Sequence, residues 1–294
     1  LAERRNAEVF SWSPVVSAVW CYDRPLEFLD LIRRRRYDLI IDTEQWYRLS
    51  AVVARLLCSS KSIGFVTNER GNMFTDTCPY LQNMYEAEMF LKLLAPLHDG
   101  VSVSAEPWEE SIVLPPAGFK CCKPYVVLFP GASVATKQWS ADRFAEVARC
   151  CEENGFVVVI VGGKAEEHSS HVISDKLRNG INFVGKTSLT ESASIVAGAA
   201  LLISVDSGLL HIAQQLGVPT VALFGPSNSN KWSRLGGQHA VVSAGVSCSP
   251  CSQFGVIPQC PYDCCCMHNI TIEMVVDAAR SEEHTSELQS RQSI

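Results

Sequence analysis

Three residues with polar or reactive side chains and one glycine follow one apolar segment of the sequence within six positions. The segment Leu201–Val205 predicts a buried strand, and Asp206, Ser207, Gly208 and His211 come after it, where a helical pattern begins. The first amides of a helix have no partner within it and the helix dipole is positive there, so an anion is favoured. Gly208 allows a phosphate to approach the backbone, and His211 lies one turn after Ser207 on the same face. The spacing therefore predicts an anion site.

Glycines and polar residues also follow the other strands predicted in the second half of the chain. Ligands of an open parallel sheet bind beyond the carboxyl ends of its strands, so these residues are expected to share one edge. The candidates are Ser133 and Lys137 after the first strand, Glu166 after the second and Thr187 after the third. Lys137 would add a full positive charge, and the whole set suits a diphosphate. The G-x-G-x-x-G fingerprint and the Walker A segment are absent from the sequence, which argues against dehydrogenases and P-loop ATPases.

Three of these residues also have purely structural interpretations. Asp206 could be the N-cap of the following helix. His211 could be a half-buried histidine with satisfied hydrogen bonds, and Lys137 could be a solvated surface lysine. The sequence leaves these alternatives open. Five turns that agree on one edge, the fifth being Gly225-Pro226-Ser227 after the last strand, are nevertheless stronger evidence than any one turn.

The elements that must position this edge alternate between strand and helix, which predicts an α/β fold with a doubly wound parallel sheet. The predicted strands are Tyr37–Asp42, 61–66, Tyr125–Phe129, Phe156–Val161, Asn182–Val184, Leu201–Val205 and Thr220–Phe224. The predicted helices include Ala141–Asn154, Ala165–Asn179, Leu189–Ala197 and Leu209–Leu216. A proline-rich segment, Asp99–Lys123, is the predicted linker between two domains, residues 1–118 and 119–280.

Composition excludes several classes of function. The net charge of -6 gives no basic field for nucleic acid, so no nucleic-acid partner is expected. The sequence has no apolar run near the roughly 18 residues of a membrane span. Thirteen cysteines, several of them adjacent, indicate a reducing compartment, and a cytoplasmic location is expected.

Three segments of the chain resemble glycosyltransferase family 9, the ADP-heptose:lipopolysaccharide heptosyltransferases. They are "FPGASVATKQWSADRFAEVA", "VGKTSLTESASIVAGAALLISVDSGLLHIAQQLGVPTVALFGP" and "CSPC". The resemblance covers roughly residues 123–280 well and the first 120 residues only through "RRRYDLIIDTE" and "SIGF". It implies the GT-B architecture, with an acceptor-side Rossmann-like domain followed by a nucleotide-sugar-binding one.

The resemblance also implies a role for each candidate residue. Ser133 and Lys137 match residues that contact the donor phosphates, and Lys137 would stabilise the leaving group. Glu166 matches an acidic residue that meets the ribose, with Glu167 as a rival, and Thr187 falls beside the adenine. Asp206 would contact sugar hydroxyls, and Ser207 and Gly208 the diphosphate. His211 matches the histidine of the same donor-binding segment and could help to hold charge on the departing diphosphate.

The implied function is inverting transfer of heptose from ADP-heptose to a lipid A-core oligosaccharide of lipopolysaccharide. The catalytic base of the family is an aspartate after the first strand, and this chain is expected to start beyond it, so the base is unknown and the N-terminal domain is expected to be incomplete. No cofactor is expected, and the sequence has no Asp-x-Asp metal motif. The alternatives are another nucleotide-sugar enzyme of this architecture, such as a 2-epimerase, and a non-catalytic nucleotide-binding fragment.

Three further segments carry separate expectations. Cys248, Cys251, Cys260 and Cys264 have spacings that would allow a zinc site, although structural or oxidisable thiols are the favoured interpretation. The run Arg33–Arg36 suits a helix C-terminus, with contact to an anionic membrane surface as the alternative, which would make the protein peripheral at the inner membrane. Residues 281–294 resemble a translated adapter and are expected to be a dispensable, non-native tail.

Overall fold

The computed structural model describes residues 1–34, 37–97 and 112–281. The chain divides into two compact units, Leu1–Glu106 and Pro107–Ile294. Much of the expected linker, part of the arginine run and nearly all of the expected tail lie outside the described residues. No helix in the described ranges is both long enough and apolar enough to cross a membrane.

The first unit contains a three-stranded parallel sheet in the order β1-β2-β3. The strands are β1 (Tyr37–Asp42), β2 (Ser59–Phe65) and β3 (Asp76–Cys78). The helices are α1 (Arg4–Phe10), α2 (Pro25–Arg34), α3 (Arg48–Leu56) and α4 (Glu86–Leu91), with 3₁₀ helices at Thr67–Met73 and Lys92–Leu97. Apolar residues of β2, including Ile63 and Phe65, are fully buried against Met89 and Leu93, which is how α4 and its continuation cover the sheet.

The second unit contains a six-stranded sheet in the order β6-β5-β4-β7-β8-β9, and every strand pairing in it is parallel. Its strands are β4 (Tyr125–Phe129), β5 (Val157–Ile160), β6 (Ile181–Asn182), β7 (Leu201–Val205), β8 (Thr220–Leu223) and β9 (His239–Val242). Its helices are α5 (Ala141–Glu153), α6 (Glu167–Ser174), α7 (Leu189–Ala197), α8 (Gly208–Gln215), α9 (Ser229–Trp232), α10 (Cys265–His268) and α11 (Ile272–Ala279). Short 3₁₀ helices at Ala135–Lys137 and Lys164–Glu166 follow β4 and β5.

The sheet of the second unit forms because its strands are near-continuous apolar runs that need cover on both faces. All five residues of β7 are buried, as are four of the five in β4. Helix α5 buries Phe144, Ala145, Val147, Ala148 and Cys151 at helical spacing. Each fully buried large apolar side chain contributes roughly 1.5–3 kcal/mol, so this core is what holds the strand ends in place.

The strand order reverses between β4 and β7, which are hydrogen-bonded neighbours although three helices and two strands separate them in sequence. In doubly wound sheets the chain leaves in opposite directions at this point and opens a crevice at the carboxyl ends of the strands. The loops after β4 and β7 flank that crevice. They carry Lys137 and Asp206.

Several predicted bounds are correct, including those of β1, β4, β7 and α7, but one predicted helix is too long. The helix expected over Ala165–Asn179 ends at Ser174. The Glu152 carboxylate of α5 accepts hydrogen bonds from the Arg178 and Asn179 amides at 2.7–3.1 Å, so these amides are satisfied without a helix.

Candidate functional site

Asp206 is the centre of the polar cluster at the β4–β7 edge. Its Oδ2 lies 2.6 Å from Lys137 Nζ, and its Oδ1 lies 3.7 Å from His211 Nε2. The Asp206 side chain is only 6% exposed, against 19% for Lys137 and 37% for His211. A carboxylate this buried needs charged or hydrogen-bonding partners, and Lys137 supplies the strongest. The pair therefore joins the loops on both sides of the switch point.

The N-cap of α8 is Ser207, so the interpretation of Asp206 as the N-cap is wrong. Ser207 Oγ accepts a hydrogen bond from the Leu210 amide at 3.2 Å and lies 3.0 Å from Ser204 Oγ. The Asp206 carboxylate does not cap the helix because it accepts a hydrogen bond from Lys137 instead. The Ser207 hydroxyl, expected to meet a diphosphate, is already engaged in the helix cap.

Gly208 is the first residue of α8 and is exposed. A methyl group added at Gly208 would meet no heavy atom within 4 Å, so the protein's own packing does not require glycine here. Among the described residues, the amides of Gly208 and Leu209 have no acceptor in the protein. An exposed helix N-terminus with open space in front of it is the geometry that receives an anion.

His211 lies one turn into α8, between Asp206 and Trp232. The centroids of the His211 and Trp232 rings are 6.2 Å apart. Desolvation lowers the pKa of His211 below its ordinary value of 6.5, while the Asp206 carboxylate opposes that shift. His211 is thus a half-buried, neutral imidazole at pH 7 that keeps about a third of its surface open towards the edge.

Glu166 extends across the edge from the loop after β5 towards the loop after β4. Its Oε2 accepts a hydrogen bond from the Gly163 amide at 2.8 Å. A methyl group at Gly131 would lie 2.6 Å from the Glu166 carboxyl carbon, so that glycine is required for the approach. Glu167 lies instead beside Gly185, in the turn after β6, so only Glu166 reaches the loop after β4.

Ser133 and Thr187 lie at the same edge of the sheet without joining the Asp206 cluster. Ser133 is exposed in the loop after β4. Thr187 Oγ1 lies 2.8 Å from Ser192 Oγ, so its hydroxyl is committed to α7. The structure brings Lys137, Asp206 and His211 together, and sets Glu166, Ser133 and Thr187 around them on neighbouring loops.

The cysteines considered for zinc do not form a metal-binding group. In residues 1–34, 37–97 and 112–281, no three His, Cys, Asp or Glu side chains are placed to hold a metal ion. All 13 cysteines have free thiols. Cys248, Cys251, Cys260 and Cys264 line a small cavity instead.

Sequence reasoning missed three residues of this region. Ser204 supports the Ser207 cap, Trp232 packs beside the His211 ring, and Lys231 is 5% exposed with its Nζ 5.2 Å from the centroid of the Trp232 ring. Burial lowers the pKa of Lys231 to about 8. The adjacent Lys-Trp pair after the Gly225-Pro226 turn is the signal that could have directed attention to α9.

Comparisons with known proteins identify the family and the fold of the chain. The family model described as glycosyltransferase family 9 (heptosyltransferase) matches residues 26–260. Lipopolysaccharide heptosyltransferase 1 of Pseudomonas aeruginosa is 33% identical over 129 residues, which are 44% of this chain and 36% of that protein. Lipopolysaccharide heptosyltransferase 3 of Escherichia coli is 27% identical over 227 residues, which are 70% of this chain and 64% of that protein. The chain thus spans between about a third and two thirds of the length of these relatives.

The structure of E. coli ADP-heptose lipopolysaccharide heptosyltransferase II matches with a TM-score of 0.73 at 18% identity. The match covers 99% of this chain and 89% of that one. The expected fold class, α/β with Rossmann-like parallel sheets of the GT-B type, is confirmed.

Proposed function

The chain belongs to glycosyltransferase family 9, and from that premise we propose that it transfers heptose from ADP-heptose to a lipopolysaccharide core acceptor. The observation that carries the proposal is the Lys137–Asp206 ion pair across the β4–β7 switch point, beside the open N-terminus of α8. A nucleotide diphosphate sugar needs fixed hydrogen-bond donors for its phosphates and hydrogen-bond acceptors for its sugar hydroxyls. This edge of the sheet provides both.

In this proposal the diphosphate lies against Gly208 and Lys137. The helix dipole and the unpaired Gly208 amide favour negative charge, and Lys137 keeps further N–H donors besides the one directed at Asp206. Asp206 neutralises Lys137, so phosphate binding here depends on oriented donors rather than on a net positive charge. Its carboxylate oxygens can accept two strong hydrogen bonds from sugar hydroxyls. Ser133 adds a hydroxyl towards the phosphates, and Glu166 and Thr187 are assigned to the ribose and adenine.

Inversion at the sugar requires a base for the acceptor hydroxyl and stabilisation of the departing diphosphate. Lys137 and the α8 amides supply the second requirement because they are already oriented before charge develops. His211 can donate a hydrogen bond to the same oxygens from its neutral ring. The proposal assigns no residue as the base.

The acceptor is assigned to the first unit, where a buried Arg70–Asp42 ion pair of 2.7 Å holds the carboxyl end of β1. The polar loops after β1 and β2 are joined there by hydrogen bonds such as that from Asn68 Nδ2 to the Trp46 carbonyl at 2.9 Å. A lipid-linked acceptor would bring the protein to a membrane surface, and the arginine run Arg33–Arg36 is the candidate contact.

Incubation of the purified chain with ADP-heptose and a heptose-free lipid A-core acceptor tests the proposal. We expect stoichiometric release of ADP together with a mass increase of one heptose in the acceptor. Conversion of the sugar without an acceptor would favour the 2-epimerase alternative. Binding of ADP-heptose with neither change would favour a non-catalytic nucleotide-binding fragment.

A further inference from the structure

A cluster of cysteines surrounds a cavity of about 70 Å³ beside the proposed donor edge. Thr136 and Pro226 line the same cavity, and Thr136 directly precedes Lys137. The cysteines that line it are Cys248, Cys251, Cys260, Cys264 and Cys266. The proposed catalytic roles involve none of these thiols, although several of them are partly exposed.

Two of the thiols in this cluster are already close to each other. Cys248 Sγ lies 3.8 Å from Cys265 Sγ, and both residues are partly accessible to solvent. A disulfide requires about 2.05 Å between the sulfur atoms, so closure needs a total movement of less than about 2 Å. The two residues lie 17 positions apart, on the loop after β9 and on α10, so a bond between them would tie two separate segments.

Both segments hold the turn that follows β8. The Cys251 amide donates to the Pro226 carbonyl at 3.0 Å, and Ser249 Oγ donates to the Gly225 carbonyl. Cys266, next to Cys265, packs against Gly225. Strand β8 in turn pairs with β7, and the Asp206 amide donates to the Leu223 carbonyl at 3.2 Å. A chain of contacts thus links the thiol segments to Asp206 through Pro226 and β8, and Thr136, which lines the same cavity, directly precedes Lys137.

We propose that Cys248 and Cys265 are a thiol-modification site that closes to a disulfide by exchange with a low-molecular-weight disulfide and thereby weakens donor binding. The effect on the donor rests on the proposed function, whereas the formation of the disulfide does not.

The exchange proceeds in two steps. The Cys248 thiolate attacks one sulfur of the small disulfide, which forms a mixed disulfide and releases one small thiolate. Cys265 gives its proton to solvent and attacks the Cys248 sulfur, which releases the second small thiolate. One protein dithiol and one disulfide thus become one protein disulfide and two small thiols. Desolvation raises the pKa of Cys265, which argues against Cys265 as the first attacking thiol.

Cys260 is the competing nucleophile in the cluster. Hydrogen bonds from the amides of Tyr262 and Cys264 lower its pKa, the latter at 3.3 Å. Burial raises the pKa of Cys266 to about 11, which makes that thiol a poor nucleophile at neutral pH. The site of first attack is therefore part of the test.

The test compares the full chain after treatment with dithiothreitol and after treatment with oxidised glutathione. Peptide mapping by mass spectrometry identifies cross-links, metal analysis measures bound zinc and iron, and calorimetry measures the ADP affinity. We expect a Cys248–Cys265 cross-link and an ADP affinity at least threefold weaker in the oxidised wild type. Cys58→Ser, which removes an exposed thiol in the first unit, should behave like the wild type. Cys265→Ser, or Cys248→Ser if the former does not fold, should keep its affinity after oxidation.

Three results would overturn the proposal: a cross-link without a change in ADP affinity, glutathione retained on Cys260 or Cys248 without a cross-link, or stoichiometric metal that makes the thiols unreactive. Reduced protein that fails to bind ADP would contradict the proposed donor site instead, and the peptide map would still decide whether the disulfide forms.

Discussion

At the scale of single residues, the candidate site is organised by a buried carboxylate rather than by a cluster of positive charges. Asp206 fixes Lys137 on one side and faces His211 on the other. This arrangement leaves oriented N–H donors at the edge while the local charge stays balanced. Some residues, such as Ser207, therefore shape the site. Others, such as Gly208, keep backbone N–H groups that are open to a ligand.

Gly208→Ala should separate folding from ligand binding. Alanine is favoured over glycine in a helix by up to about 1 kcal/mol, and the added methyl group meets nothing in the protein, so the melting temperature should stay equal or rise. The methyl group would occupy the space in front of the helix N-terminus, so ADP affinity should fall at least about tenfold. Thermal melts and calorimetry measure both quantities. Gly118→Ala, at another exposed glycine with open space, should change neither. Undiminished ADP affinity in Gly208→Ala would place the phosphates elsewhere.

Because of His211, the free energy of unfolding should fall as the pH falls below about 6.5. Its pKa in the folded protein lies below the unfolded value of 6.5, so the unfolded chain binds more protons below about pH 6.5. Protonation of His211 in the unfolded chain therefore lowers the free energy of unfolding as the pH falls, and this loss is absent above that pH. Urea unfolding between pH 7.5 and 5.5 should show a smaller loss for His211→Gln than for the wild type. His168→Gln, at an exposed histidine, serves as the control. Identical pH profiles for wild type and His211→Gln would show that this imidazole is not desolvated.

At the scale of helices and strands, the first unit contains a buried carboxyl group, that of Glu86, which holds a helix in place. The acidic residues at the proposed donor edge have a different role. Glu86 lies in the first turn of α4 and is 5% exposed. It accepts a hydrogen bond from the Tyr80 hydroxyl at 2.8 Å and another from Gln45 Nε2. Burial raises its pKa to about 8, so it is largely protonated at neutral pH and holds α4 as a neutral group.

Glu86→Gln should therefore mimic the native side chain at pH 6. Between the unfolded pKa of 4.5 and the folded value of about 8, the folded wild type binds the extra proton, so stability falls as the pH rises. Denaturant unfolding from pH 6 to 9 should show a steeper loss for the wild type than for Glu86→Gln. The exposed Glu88→Gln in the same helix should follow the wild type. Equal slopes in the wild type and Glu86→Gln would refute a protonated Glu86.

The sequence reveals most of the second unit because its strands are apolar runs with readable ends. Strand β7 and the residues after it were predictable for that reason. The Lys137–Asp206 pair was not, because 69 positions separate the partners and only the strand order brings them together. Strands β3 (Asp76–Cys78) and β9 (His239–Val242) were missed because each begins at a polar residue and neither stands out as a continuous apolar run. The end of α6 depends on a carboxylate in α5, which no local pattern contains.

At the scale of the whole molecule, the proposed donor site consists of residues from the second unit alone. The loops after β4, β5, β6 and β7 all belong to one sheet with its own apolar core. A fragment of residues 112–281 should therefore fold cooperatively and bind ADP within about threefold of the affinity of the full chain. Calorimetry and circular dichroism on both proteins check this. A folded fragment with no ADP affinity would mean that residues outside it complete the donor site.

The most direct test of the central claim is calorimetric titration of ADP into the wild type and Lys137→Ala. Loss of a charge-assisted hydrogen bond costs roughly 1.5–3 kcal/mol, so the affinity should fall by about tenfold to a hundredfold. The fall should be at the upper end because Asp206 would be left buried and unneutralised near the phosphates. Lys176→Ala, which breaks a surface ion pair with Asp142, should bind ADP like the wild type. An ADP affinity that is unchanged in Lys137→Ala would contradict a diphosphate site at the β4–β7 edge.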